Sequence, residues 1–306
     1  MNAIRTLLRE SIDYAGLFPP AGLDMTIAVA NYAQYRAGPS AWALGRFIVP
    51  ASRLSEFGAA AEPHLAHAPG ALPWRLGVLA GPDLGSDLEQ IGEFNSRHAN
   101  PGAAGATADT LEAKATSEAG VEEIMRRLPP GLQAYIEIPI DHDPSRLIAA
   151  IGRLGGRAKV RTGGVTKDAF PRTADLTRFV QECVRARVPF KATAGLHHPL
   201  RGEYRLTYAP DSPCSIMFGF LNLLLATAVL RTGLDQAEVT GLLEEKSPEA
   251  FQVDETGISW RGRRLDLKTL EDARREGMIS FGSCSFTEPI ADLEALHLLQ
   301  SEAQRA

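Results

Sequence analysis

The chain has 306 residues, 44% of them hydrophobic and 23% charged, which is material for one large globular core or two smaller ones. A net charge of −5 and a pI near 5.9 exclude the basic excess expected of a general nucleic-acid or anionic-membrane surface. Cys183, Cys214 and Cys284 are odd in number, far apart and without a CxxC spacing, so they predict a reducing compartment and no disulfide framework.

Residues 1–18 lack the long apolar run of a secretory signal, and the expected location is the cytoplasm. After a short opening helix, 11–18 reads as a first strand that Pro19 and Pro20 end, and Asp24 caps a helix over 25–36. A strand at 46–49 leads to an alanine-rich helix at 52–65. A strand at 74–80 leads to a helix at 83–98, with Leu88, Ile91 and Phe94 at helical spacing. The Gly/Ala/Pro-rich stretch 99–106 predicts a surface loop. Strands at 110–115, 135–140 and 158–162 then alternate with a helix opened by Ser117 and Glu118 and with helices at 144–154 and 174–187. The seventh strand starts at Val188 and is ended by Gly195.

The next stretch, about 202–277, is longer than one crossover helix needs and reads as an insertion. It holds an apolar helix over 214–230 opened by Asp211, Ser212 and Pro213, a second helix near 235–245, and a hairpin over 251–260. The apolar run is at the short limit for a membrane span and contains Gly219 and Asn222, which favours a buried or subunit-contacting helix. A strand at 278–286 and a helix at 289–300 complete the pattern. Regular alternation of eight strands with helices predicts an α/β fold: a single-domain (β/α)8 TIM barrel over 1–306, with the insertion between strands 7 and 8. No GxGxxG or GxxxxGK[ST] supports an open nucleotide-binding sheet.

Charge falls inside four successive strands. With a side-chain period of two, Glu112 pairs in direction with Lys114, Tyr135 with Glu137, Lys159 with Arg161, and Lys191 with Thr193. An unpaired ammonium in a core costs several kcal/mol, so these groups need partners or a shared wet cavity. In a barrel that cavity lies at the C-terminal ends of the strands. His197, His198 and Arg201 follow strand 7 there, while Asp13 and Tyr14 on strand 1 and Ser283, Cys284 and Ser285 on strand 8 complete the rim. The bland readings are an internal Glu112–Lys114 ion pair, one histidine that only packs, and Cys284 as a small strand-end residue. Lys159, Arg161 and Lys191, three cations against two glutamates, favour function.

KATAG at 191–195 and KVRTGG at 159–164 resemble the lysine strands of class I, Schiff-base-forming aldolases, particularly the deoxyribose-phosphate aldolase group. There K-x-[ST]-x-G carries the amine nucleophile and a second lysine strand ends in Gly-Gly. The resemblance spans two strands, in reversed order, and implies Lys191 as the Schiff-base lysine and Lys159 as the cation that lowers its pKa.

The chemistry agrees with that likeness. A lysine attacks a carbonyl only when neutral, and a neighbouring cation favours the neutral form. Glu137 or a histidine would move protons. Thr193, His197, Glu112, Lys114 and Asp13 would line the site, Arg161, His198 and Arg201 would hold a carboxylate or phosphate, and Ser283, Ser285 and the Gly163–Gly164 turn would offer donors to phosphate. The expectation is a lyase of aldolase type, or an isomerase, that acts on a small anionic carbonyl compound without a cofactor. One alternative is a divalent metal on Asp13, Glu112, Glu137 and His197 that assists enolisation or hydrolysis, although no HxH or HExxH occurs. Another is a non-catalytic small-anion-binding protein. The expected partners are the substrate and a second copy of the chain, with 218–225 as the candidate contact helix, and neither nucleic acid nor membrane.

Overall fold

The computed structural model describes residues 3–65, 72–98, 105–233 and 236–300. In chain order come α1 (Ala3–Leu8), β1 (Ile12–Tyr14), α2 (Met25–Ala37), β2 (Leu44–Pro50), α3 (Leu54–Ala61), β3 (Trp74–Leu79) and α4 (Leu84–His98). Next are β4 (Ala106–Lys114), α5 (Glu118–Arg127), β5 (Gln133–Glu137), α6 (Ser145–Arg153), β6 (Arg157–Arg161), α7 (Thr173–Ala186) and β7 (Phe190–Thr193). A hairpin, β8 (Gly202–Arg205) with β9 (Cys214–Met217), precedes α8 (Phe220–Arg231) and α9 (Gln236–Leu243). A small antiparallel sheet, β10 (Phe251–Val253), β11 (Gly257–Trp260) and β12 (Arg263–Asp266), leads through α10 (Leu267–Glu276) to β13 (Met278–Ser283) and α11 (Thr287–Ala295).

Strands β1 to β7 run parallel in sequence order, and β13 closes the barrel between β7 and β1. The chain is therefore a (β/α)8 TIM barrel, as the alternation predicts. Side chains that point out of the strands form the layer under the helices. Phe47 packs its ring 4.9 Å from Phe57 and 5.5 Å from Tyr32, and Tyr32 meets Trp74 at 5.1 Å. Fully burying one such side chain contributes roughly 1.5–3 kcal/mol. Local signals set the helix starts: the Ser117 hydroxyl accepts the Gly120 N–H at 3.1 Å, and Asp266 accepts the Thr269 N–H at 2.8 Å.

Several boundaries depart from the sequence reading. Strand β1 has three residues, because the chain turns away before the Pro19–Pro20 pair. Most of the expected loop over 99–106 lies outside the described residues, and β4 already begins at Ala106. The apolar run over 214–230 is not one helix. Its first four residues pair with β8, and Gly219 breaks the run because its backbone packs against Pro199 and Leu200, where a Cβ would sit 2.3 Å from the Pro199 carbonyl oxygen. The small sheet has a third strand, β12, and α10 follows it.

Helix α8 is apolar because it is enclosed. Every residue from Phe220 to Val229 is buried within the single chain, among α7, α9, α10 and β13. The expectation that this segment faces a second copy is therefore corrected: its apolar surface is already covered. Asn222 in its first turn donates to the carbonyls of Leu242 and Glu245 at 2.8 and 2.9 Å and accepts the Arg201 N–H at 2.9 Å. No helix among the described residues is long and apolar enough to cross a membrane.

Candidate active site

Barrel register brings the charged strand positions to one level. Lys114 is the partner of Glu137, Glu137 of Lys159, and Lys159 of Lys191 on successive strands. Inside the barrel, the Lys191 ammonium lies 2.6 Å from Asp13 Oδ2 and 2.6 Å from Glu112 Oε1. The other oxygen of Glu112 faces Lys159 at 2.7 Å, and Lys159 also meets Glu137 Oε2 at 2.9 Å. The chain of charges thus runs Asp13, Lys191, Glu112, Lys159, Glu137, ending on Lys114 at 3.4 Å, whose side chain is 75% exposed at the rim. The internal Glu112–Lys114 pair does not form, since each has a nearer partner on another strand.

Asp13 is held from two further sides. Ser280 donates to its Oδ2 at 2.7 Å, and the Arg46 N–H donates to Oδ1 at 2.8 Å. Gly45 makes that approach possible, because a Cβ there would lie 2.4 Å from Asp13 Oδ1. The Tyr135 ring lies under the Lys191 ammonium, 5.4 Å from its centroid.

Burial and pairing oppose each other at these groups. Burial alone would lower the Lys191 pKa, but Asp13 and Glu112 hold it well above the ordinary lysine range. Burial would raise Glu112, yet the ammonium groups of Lys159 and Lys191 bring it down to about 2. Glu137 behaves similarly: desolvation is outweighed by Lys159, Lys114 and Arg161, and its pKa is lowered.

A cavity of about 230 Å³ opens above this cluster at the C-terminal ends of the strands. Lys159 and Glu112 reach its floor, whereas Lys191, 1% exposed, lies beneath it. Phe18, Ile48, Leu79, Val165, Leu206 and Met217 supply apolar walls, and Arg161, Thr193 and His197 supply polar ones. Arg161 makes one weak contact, 3.4 Å to the Gly163 carbonyl, and no ion pair among the described residues. Next to it the chain passes through left-handed Ala194 (φ 67°) and Gly195 (φ 72°), with the Thr162 hydroxyl donating to the Ala194 carbonyl at 2.7 Å. The Phe170 ring packs on both glycines: a Cβ at Gly163 would lie 2.5 Å from its Cε1, and one at Gly195 2.9 Å from the same atom and 3.1 Å from the Gly163 Cα. A non-glycine residue held left-handed costs on the order of 1–3 kcal/mol and is a feature of functional loops.

On the opposite wall, His197 Nδ1 is 3.1 Å from Ser283 Oγ, 3.6 Å from Glu288 and 3.8 Å from Cys284 Sγ. Desolvation, aided by His198, lowers the His197 pKa to about 4, so the ring is neutral at physiological pH. Burial pushes the Cys284 thiol up, which disfavours the thiolate.

Three expected site residues stand apart from the cavity. His198 pairs with Asp292 at 2.6 Å and stacks on Tyr204, 3.6 Å between ring centroids. Arg201 lies over the Phe218 ring at 4.6 Å, and Ser285 caps α11 through the Glu288 N–H at 3.2 Å. The metal set proposed from sequence is also corrected. Asp13 and Glu112 are bridged by ammonium groups, His197 faces strand β13, and no cluster of three His, Cys, Asp or Glu side chains among the described residues could hold a metal ion. Ser280, which holds Asp13, and Tyr208 and Glu288, which meet Cys284 and His197, carry no sequence signal, since only barrel closure and the docking of α11 and the hairpin bring them there.

Fold and site together define a (β/α)8 barrel with a buried lysine–carboxylate centre under a small cavity. A scan against protein-family models finds no match for the chain, and a search of curated proteins finds none either.

Proposed function

We propose that the protein is an enzyme of lyase type acting on a small anionic carbonyl compound, with Lys159 as the amine nucleophile and Lys191 as a fixed cation. The observation that carries this reading is the difference in depth between two lysines at one register level: Lys159 meets the cavity, and Lys191 lies below it between two carboxylates. The roles drawn from the sequence likeness are thereby exchanged. The exchange places the nucleophile on the Gly-Gly strand and not on the K-x-[ST]-x-G strand, so this reading rests on depth and departs from the motif likeness.

In this reading Glu137 takes the proton of the Lys159 ammonium, to which it is 2.9 Å distant. Its Oε2 is the acceptor at that distance, and because neighbouring cations hold the Glu137 pKa low, the transfer completes only as the substrate carbonyl oxygen takes the proton on. The Lys159 lone pair forms a C–N bond to the substrate carbonyl carbon, the carbonyl oxygen takes two protons and leaves as water, and an iminium remains. That iminium accepts the electron pair released when the adjacent carbon–carbon bond breaks. Neutral His197 or Glu137 removes the proton from the hydroxyl that becomes the second carbonyl. Arg161, without an ion-pair partner, holds the carboxylate or phosphate of the substrate at the mouth.

The test is reductive trapping. The protein is incubated with keto acids, aldehydes and phosphorylated ketones, borohydride is added, and adducts are located by intact mass and peptide mapping. An adduct on Lys159 that is absent in Lys159→Ala and retained in Lys191→Met is expected. An adduct on Lys191 would reverse the roles, and no adduct from any carbonyl would sink the Schiff-base mechanism. In that last case, thermal stabilisation by substrate-like anions would instead favour a binding protein.

A further inference from the structure

A second concave site lies at the other end of the barrel, around the N-terminal ends of β2, β3, β5 and β6. Its volume is about 780 Å³, within the range of small-molecule sites. Arg9, Arg46, Arg75, Arg157, Arg274 and Arg275 line it, against three acids, Glu10, Asp109 and Glu271. Half of these arginines are accounted for. Arg46 and Arg75 share Asp109, at 2.6 and 2.8 Å, and Arg275 pairs with Asp272 and Glu276 at 2.9 and 3.0 Å.

The other three guanidinium groups meet no carboxylate among the described residues. Arg157 donates to the Tyr135 hydroxyl at 2.9 Å and lies over that ring at 5.4 Å. Arg274 donates to the carbonyls of Met278, Ile279 and Arg9, and its Nε is buried with no partner. Arg9 is exposed at the edge, its carbonyl bonded to Arg274 and its side chain unpaired. Burial depresses the Arg274 pKa to about 10, a penalty that a bound anion would relieve. A barrel floor that served only as a plug would pair its charges, because an unpaired buried charge is destabilising. Here the surplus charge borders open space.

We infer that this cavity binds a small phosphate-bearing molecule, held by Arg9, Arg157 and Arg274. Guanidinium forks match the paired oxygens of phosphate, and three guanidinium groups outside any ion pair among the described residues, set against the one carboxylate of Glu271 in the same wall, suit a group with two negative charges. The volume exceeds that of a single phosphate, so the natural ligand carries further atoms. This inference is independent of the chemistry at Lys159, from which the site is separated by the barrel interior.

Inorganic pyrophosphate is the probe. Titrated calorimetrically into the full-length protein at low salt, it is expected to bind at one saturable site per chain. Arg9→Gln and Arg157→Gln should each weaken binding about tenfold or more, the usual loss for one charged hydrogen bond. In the Arg161→Gln background, which removes the cation assigned to the substrate anion at the opposite end, the same single site should persist. Arg9 is exposed, so its variant remains informative even if Arg157→Gln fails to fold. Absence of saturable binding would overturn the inference, as would loss of binding in Arg161→Gln with retention in Arg9→Gln. Equal binding of a simple dicarboxylate would overturn the assignment to phosphate.

Discussion

Replacing Lys191 with methionine removes the charge and keeps most of the volume. In the native chain, this ammonium is 1% exposed and makes two 2.6 Å contacts with carboxylates of side-chain exposure 1% and 2%. Its loss leaves Asp13 with Ser280 and a backbone N–H, and leaves Glu112 with Lys159. Breaking a buried pair by removing one partner costs about 3–5 kcal/mol. For 306 residues, with about 2.1 cal/mol/K of unfolding entropy per residue, that is a fall in Tm of about 5–8 °C. The deficit should also depend on pH. In the native protein, Glu112 is depressed from 4.5 to about 2, so its contribution is present above pH 4.5 and is lost as pH falls toward 2. In the variant, Glu112 keeps Lys159 but loses Lys191, one of the two ammonium groups that depress it, so its pKa rises and the penalty, full at neutral pH, is relieved as it takes up a proton on acidification. Calorimetric melts at pH 7.5 and 4.5 should therefore show the gap between variant and native protein narrowing at the lower pH. An unchanged Tm at pH 7.5, or a gap that widens at pH 4.5, would refute the proposed charge balance.

Other expectations follow from single contacts. Arg161→Gln should raise KM for the anionic substrate about tenfold or more with no change in Tm, because among the described residues its side chain makes a 3.4 Å bond to a carbonyl and no ion pair. Steady-state kinetics beside a melt checks both halves. His197 should show no titration near 6.5 in an NMR pH series, with its resonances assigned from His197→Asn. Its folded pKa, lowered from 6.5 to about 4, contributes stability that is present above pH 6.5 and lost as pH falls toward 4. Asn222→Ala should lower stability by about 2–4 kcal/mol in denaturant unfolding, since three hydrogen bonds go and two buried carbonyls lose a donor.

The barrel was legible because parallel strands alternate with amphipathic helices, and both periods survive in the sequence. Elements with little burial were not. Strand β12 buries only Leu265, and α10 buries only Leu270 and Ala273, so neither carries an apolar rhythm. The run over 214–230 misled in the opposite sense. Continuous apolarity cannot distinguish a strand from an enclosed helix, and the break at Gly219 depends on a contact with Pro199 that only the fold supplies. At the site, the period of two placed Glu112, Glu137, Lys159 and Lys191 on the inner face correctly. Depth was invisible, because it turns on Asp13, which barrel closure brings to Lys191 across 178 residues.

That closure also bears on what the lysines can do. Asp13, Glu112 and Glu137 face Lys159 and Lys191, three acids against two amines, with Lys114 approaching only from the rim. The amines are thus already neutralised from within and offer no surplus charge to an anion. A protein built merely to bind a small anion would place unpaired cations against its cavity, as Arg161 is placed at the mouth. On the proposed function, the amine at the cavity floor, with a proton acceptor at 2.9 Å and a fixed ammonium sharing its glutamate, serves to lose a proton and form a bond. In the proposed mechanism the proton passes from Lys159 to Glu137, its neighbour at 2.9 Å, and on to the substrate oxygen without leaving the cluster. A Glu137→Gln variant should therefore still admit substrate but form the trapped adduct about 10²–10⁴-fold more slowly, and an adduct rate equal to that of the native protein would remove Glu137 from the mechanism.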